Sequence, residues 1–158
     1  MMINNTQRVE PTTGLFLLKI IFATICMFFG FFGVFFSFWK GNNYSVAPCL
    51  FLEIVCVLLI NVNATFKRGK LFEVYTRSKL TIVFAVACVV CALTLPGAIF
   101  FLANGIRYKQ DFQMEYDGYY FAMIPCLLAV INSLILVYDS KVFIRMHDQQ
   151  AGGINRVF

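Results

Sequence analysis

Glu53 is the residue with the most evident chemistry in this chain. It is a carboxylate inside the apolar run Val46 to Phe66, about two turns in from one end. An acid at that depth in a membrane span is costly and marks a functional site by default. Asn132, in the run Tyr119 to Val142, is its expected hydrogen-bonding partner. Asn61 and Asn63 add polarity lower in the run that holds Glu53. Asp139 does so near the end of the last run, where Lys141 or Arg145 is its expected counter-ion. Glu53, Asn61, Asn132 and Asp139 together outline a polar intramembrane path, the equipment of a small transporter or channel for a cation or proton. A plainer reading stands beside it. Glu53 is protonated, or solvated from the outer interface, and fixes helix register, while Asn132 is interhelical glue.

Other chemistries find little support. Cys88 and Cys91 form a CxxC in the middle of an apolar run. There the helix N-terminus that lowers a thiol pKa is missing, and so is an aqueous route for a substrate. The other cysteines, Cys26, Cys49, Cys56 and Cys126, also lie in or at the ends of apolar runs and read as small polarisable packing residues. A Cys49–Cys126 bridge is conceivable, because both lie toward the outer ends of their helices. The single histidine, His147, cannot make a zinc site or a catalytic triad alone. No glycine-rich phosphate loop occurs. The reading is non-enzymatic, with no cofactor and no metal.

The elements that position these residues are plain. Of 158 residues, 60% are apolar and 13% charged, about half the charged share of a soluble domain. Four apolar segments, 15–38, 46–66, 80–103 and 119–142, each approach the roughly 20 residues needed to cross the hydrocarbon core as a helix. Short connectors imply antiparallel neighbours, hence an all-α, up-down-up-down four-helix membrane bundle. Residues 1–14 form a polar N-tail with Arg8 and Glu10, ahead of a run read as a retained signal anchor, and residues 143–158 a C-tail. Ten cations lie on the side of the N-tail, loop 2 and the C-tail: Arg8, Lys19, Lys67, Arg68, Lys70, Arg77, Lys79, Lys141, Arg145 and Arg156. Only Lys40, Arg107 and Lys109 lie on the other. That bias predicts cytosolic termini. The acidic loop 3 (Asp111, Glu115, Asp117) and the rings of Trp39, Tyr44, Tyr108, Tyr116, Tyr119 and Tyr120 then mark the outer interface. On this topology the sequons at Asn4 and Asn63 are silent, and the one at Asn43 is too near the bilayer to carry much glycan.

The first segment sorts its residues by size. At about 100° per residue, Ala23, Cys26, Gly30, Gly33 and Ser37 share a sector of roughly 80°. Small residues let helices approach in lipid, so this face should pack inward. Phe28, Phe29, Phe31, Phe32, Phe35, Phe36 and Phe38 fill the rest, of which Phe28, Phe31, Phe32, Phe35 and Phe36 form a ridge for lipid or a protein partner. The third segment has a matching stripe, Ala87, Cys91, Thr94 and Ala98, with a kink expected at Pro96–Gly97. Segment 4 places Ala122, Pro125, Ala129, Asn132 and Asp139 along an inward side. Loop 2 offers Lys67, Arg68, Lys70, Arg77 and Lys79 to anionic lipid headgroups, each worth about 1 kcal/mol near the surface. Enforcing topology is the ordinary role of such cations. The tail from His147 onward, with Gly152 and Gly153, reads as flexible.

GLFLLKIIFATICMFFG resembles the opening helix of MARVEL-type four-span proteins of vesicles and junctions, and YYFAMIPCLLAVINSLILVYDSKVFIR is similar to their closing helix. Ciliary-gate tetraspan proteins are a rival through GKLFEVYTRSKL and CALTLPG, although the acidic and arginine residues expected ahead of that glycine are missing. The MARVEL resemblance implies membrane organisation, trafficking or attachment to a larger membrane complex, at the plasma membrane or an endomembrane. It implies no catalytic residue. The expected partners are therefore the bilayer and a larger membrane protein or a second copy, not nucleic acid.

Overall fold

The computed structural model describes residues 13–116 and 118–154, with the backbone alone for 13 and 150–154. Expectations placed on Asn4, Arg8, Glu10, Asp117 and Arg156 lie outside the described residues. The chain forms α1 (Thr13–Lys40), α2 (Asn43–Lys67), α3 (Leu71–Val74), α4 (Arg77–Arg107) and α5 (Tyr119–Ile154). No strand occurs among the described residues. Four helices, α1, α2, α4 and α5, are long and apolar enough to cross a membrane, as a multi-pass membrane protein requires.

Local sequence sets the breaks. Gly41 (φ +71°) and Gly69 (φ +71°) take the left-handed conformation that closes a helix C-terminus at least steric cost. Beyond them Asn42 N–H donates to the Ser37 carbonyl at 2.9 Å, and Lys70 N–H to the Thr65 carbonyl at 3.2 Å. Thr76, in extended conformation, caps α4 by accepting from Lys79 N–H. Pro48, Pro96 and Pro125 lie inside α2, α4 and α5. Each removes one backbone donor, and each helix nevertheless continues past its proline, including α4 at the expected kink.

The packing order is α1, α2, α5, α4. α1 packs along α2, α2 along α5, and α5 along α4, while α2 and α4 touch only slightly. This corrects the expectation that all consecutive spans are packed neighbours. Loop 2, stiffened by α3, is long enough to carry the chain across α5, and the small inward face of α5 fills the space between α2 and α4. Ala122, Ala129, Ser133 and Ser140 on that face are fully buried. One end of the bundle joins Phe16 of α1 to Lys67 of α2, and Arg77 of α4 to Asp148 of α5. The other end gathers Tyr44, Phe101, Tyr108 and Tyr119 in one aromatic cluster. The largest core unites Val55, Leu59 and Val62 of α2 with Leu136 and Phe143 of α5 and Leu80, Val83 and Val90 of α4. In lipid such a core holds by close packing rather than by escape from water.

Two further boundaries differ from expectation. α3 was not foreseen inside loop 2; Leu71 at its start is buried and anchors it to the main core. α5 continues to Ile154, twelve residues past Val142 and into the stretch expected to be a flexible tail. No proline interrupts Lys141 to Gln150, and Phe143, Ile144 and Met146 still find core neighbours under α3.

Candidate functional site

The best-built polar site lies where α1, α2 and α5 meet. Lys19 of α1 donates to both carboxylate oxygens of Asp139 on α5, at 2.9 Å and 2.7 Å. Asn63 of α2 donates to Asp139 Oδ2 at 2.8 Å and to the Leu59 carbonyl of its own helix at 2.9 Å. Asn63 and Asp139 are buried, and Lys19 is four-fifths buried. Charge-assisted hydrogen bonds of this kind are roughly twice as strong as neutral ones. The site is therefore a clamp on three helices rather than an open port. It corrects the expected counter-ion of Asp139. Lys141 and Arg145 follow it by two and six residues, about 200° and 240° around the helix, and both are exposed. Lys19 instead shares the inward face of α1 with Ala23 and Cys26.

Glu53 and Asn132 are not joined. Asn132 is fully buried, its amide donates to the Leu128 carbonyl at 2.9 Å, and its Oδ1 has no partner among the described residues. Glu53 is only half-buried, and among the described residues it makes no hydrogen bond or ion pair. It lies beside a close approach of α1 and α2, since a Cβ on Gly30 would be 3.1 Å from the Glu53 nitrogen. Asn61 departs from the interior altogether. It is exposed, and its Oδ1 accepts from the Tyr75 hydroxyl at 3.1 Å. Two residues separate Asn61 from the buried Asn63, about 200° of helix, so one helix face cannot hold both. The four polar candidates thus do not line one route.

The small residues of α1, Ala23, Gly30, Gly33 and Ser37, are all buried. At Gly30 the backbones meet, because a Cβ there would be 2.9 Å from the Cys49 carbonyl oxygen. At Gly33 the same addition would meet the Cys49 sulfur at 2.7 Å. The Ser37 and Ser45 hydroxyls, 2.6 Å apart, fasten the ends of α1 and α2. On α4, Ala87, Thr94 and Ala98 are buried and Cys91 sits half-buried at the edge of the stripe. All six cysteines are free thiols.

The opposite face of α1 is an aromatic surface without an intramolecular cover. Phe28, Phe31, Phe32 and Phe35 are 52%, 44%, 63% and 60% exposed. They contact one another, Phe28–Phe32 stacked at 6.4 Å and Phe31 edge-on to Phe32 at 5.4 Å and to Phe35 at 5.1 Å. Phe36 does not belong to this ridge. It turns toward α5, half-buried, with its ring 5.8 Å from that of Phe121.

Each end carries its own ion pairs. Lys67, Arg68, Lys70, Arg77 and Lys79 are all exposed. Lys67 lies over the Phe16 ring at 5.2 Å, Arg77 pairs with Asp148 at 2.8 Å, and Lys79 donates to the Val74 carbonyl at 3.2 Å. Burial pushes the Tyr75 hydroxyl above its usual range. At the other end Lys40 binds Glu115 at 2.7 Å and holds that carboxyl below the usual carboxylate range. Asn42, fully buried, donates to the Gly118 carbonyl at 3.3 Å and ties loop 1 to loop 3. Neither the ridge contacts nor the Lys19–Asp139 pair was legible in the sequence. Spacing gives faces within one helix, not which faces of distant helices meet.

Compared with protein-family models, curated proteins and solved structures, the chain matches none.

Proposed function

We propose that this chain is a non-enzymatic accessory or organising protein of a membrane. Its α1 ridge seats a larger membrane protein or a second copy. The observation that carries this reading is the continuous array Phe28, Phe31, Phe32 and Phe35, exposed and internally packed ring on ring. Aliphatic side chains satisfy lipid equally well. Aromatic rings add directional contacts, and aromatic residues are enriched in protein interfaces. The four spans cross the bilayer up-down-up-down with both termini and loop 2 in the cytosol, a reading supported by the basic excess at that end. On this topology loop 2 lies against anionic headgroups. The MARVEL-type resemblance of the first and last helices belongs to the same proposal, as does a junction, vesicle-trafficking or channel-auxiliary setting. A transport path through Glu53 and Asn132 has less support, because no hydrogen bond links the two and Lys19 occupies Asp139.

Extraction in the mildest detergents followed by native mass measurement tests the proposal. A mass above 18.0 kDa plus bound lipid is expected. A bare monomer under every such condition overturns it.

A further inference from the structure

The two acids within the spans are treated in opposite ways. Asp139 receives a cation and an amide inside the bundle. Glu53 receives nothing among the described residues, although Lys40 and Arg77 neutralise even the exposed Glu115 and Asp148. Glu53 lies ten residues into α2 and fourteen from its end, about 15 Å and 21 Å along the axis, well inside the span. Lipid offers no cation there. At Gly30 the α1 and α2 backbones are in contact beside it, and the half-buried side chain is left at the rim of that seam.

We infer that Glu53 receives a lysine or arginine carried at mid-bilayer depth by the transmembrane helix of a partner protein seated along the α1–α2 seam. This rests on the partner-docking reading above and adds the chemistry of the partner. Charge complementarity selects the occupant, since an unpaired acid and an unpaired base are each costly in the bilayer and relieve one another when joined. A second copy of this chain does not qualify. The cations within its spans are Lys19, which is already held by Asp139 near the far end of the bundle, and Lys141, which stands at the very end of its span.

The test uses the full-length protein in phosphatidylcholine vesicles with labelled synthetic polyleucine helices, read by energy transfer. One helix carries a central Arg, one a central Leu, and one an Arg displaced by two turns. The central-Arg helix is expected to associate at least about tenfold more tightly than the other two, a modest return for a close charge pair. Glu53→Gln should erase that preference and leave the central-Leu helix unchanged. Equal association of the three helices with the wild-type protein, or an Arg preference that survives Glu53→Gln, overturns the assignment. So does failure of every helix to associate. If the central-Leu helix binds and Phe32→Leu weakens it while no Arg preference exists, the Glu53 assignment fails and the ridge reading survives. The comparison of helices on the wild-type protein holds even if a Glu53 variant does not fold.

Discussion

Removing one partner of the Lys19–Asp139 pair should loosen three helices at once. The Asp139 side chain is 7% exposed and the Lys19 side chain 20%, so solvent screens little of the interaction. Lys19→Met leaves the buried carboxylate with Asn63 as its only donor among the described residues. Breaking a buried pair in this way costs about 3–5 kcal/mol, and a value near 4 is expected. Asp139→Ala strands the ammonium instead. Lysine extends toward the interface more readily than aspartate does, so about 3 kcal/mol is expected. The double variant Lys19→Met with Asp139→Leu replaces both charges by apolar groups, which is often neutral or stabilising, and it should fall within about 1 kcal/mol of wild type. The assay is unfolding in mixed micelles with increasing dodecyl sulfate, followed by circular dichroism, for all four proteins of the cycle. Single variants that cost under about 1 kcal/mol, or a double variant equal to the sum of the singles, would refute the clamp.

Other consequences are more local. Gly30→Ala should cost more than Gly33→Ala in the same assay, about 2–3 against about 1 kcal/mol. The new methyl at position 30 meets the Cys49 carbonyl and the Glu53 backbone, whereas at position 33 it meets a thiol that can turn away. Equal costs would mean that the two backbones do not touch at Gly30. The Lys40–Glu115 link should respond to acid. Lys40 lowers the Glu115 pKa from 4.5, so its contribution is fully present above about pH 4.5 and is lost as pH falls through the lowered value. The protection factors of loop 3 amides, taken relative to intrinsic exchange at each pH, should therefore fall in acid in the wild type, and Lys40→Met should remove that dependence. A loop whose exchange in acid is the same with and without Lys40 would contradict the link. Gly118→Ala should detach loop 3 from loop 1, because its Cβ would collide with the Gln113 carbonyl and lie 2.8 Å from the Asn42 amide. The signature is faster proteolysis between Tyr108 and Tyr119, and protection at the wild-type level would count against it.

The four long helices were legible because composition and run length decide that question almost alone. The size sorting of α1 was legible too, since a 3.6-residue period places Ala23, Gly30, Gly33 and Ser37 together whatever surrounds them. The order of the helices was not. Nothing in α2 or α4 announces that α5 lies between them, and the assumption of sequential neighbours fails there. Partner choice failed for the same reason. Lys141 and Arg145 are close to Asp139 along the chain but on the wrong side of its helix, while Lys19, 120 residues away, lies on the right face of another. Asn61 was misplaced because it was grouped with Asn63 by depth rather than by angle. Phe36 was grouped with the ridge by residue type, and only the approach of Phe121 separates it.

The central claim is that the α1 ridge holds protein rather than lipid. Replacing Phe28, Phe32 and Phe35 together by leucine keeps the surface apolar and removes the rings. If the ridge seats a partner, the mass of the natively extracted complex should fall from that of an assembly toward 18.0 kDa plus lipid, with the fold retained. An assembly of unchanged mass after all three substitutions would contradict the account.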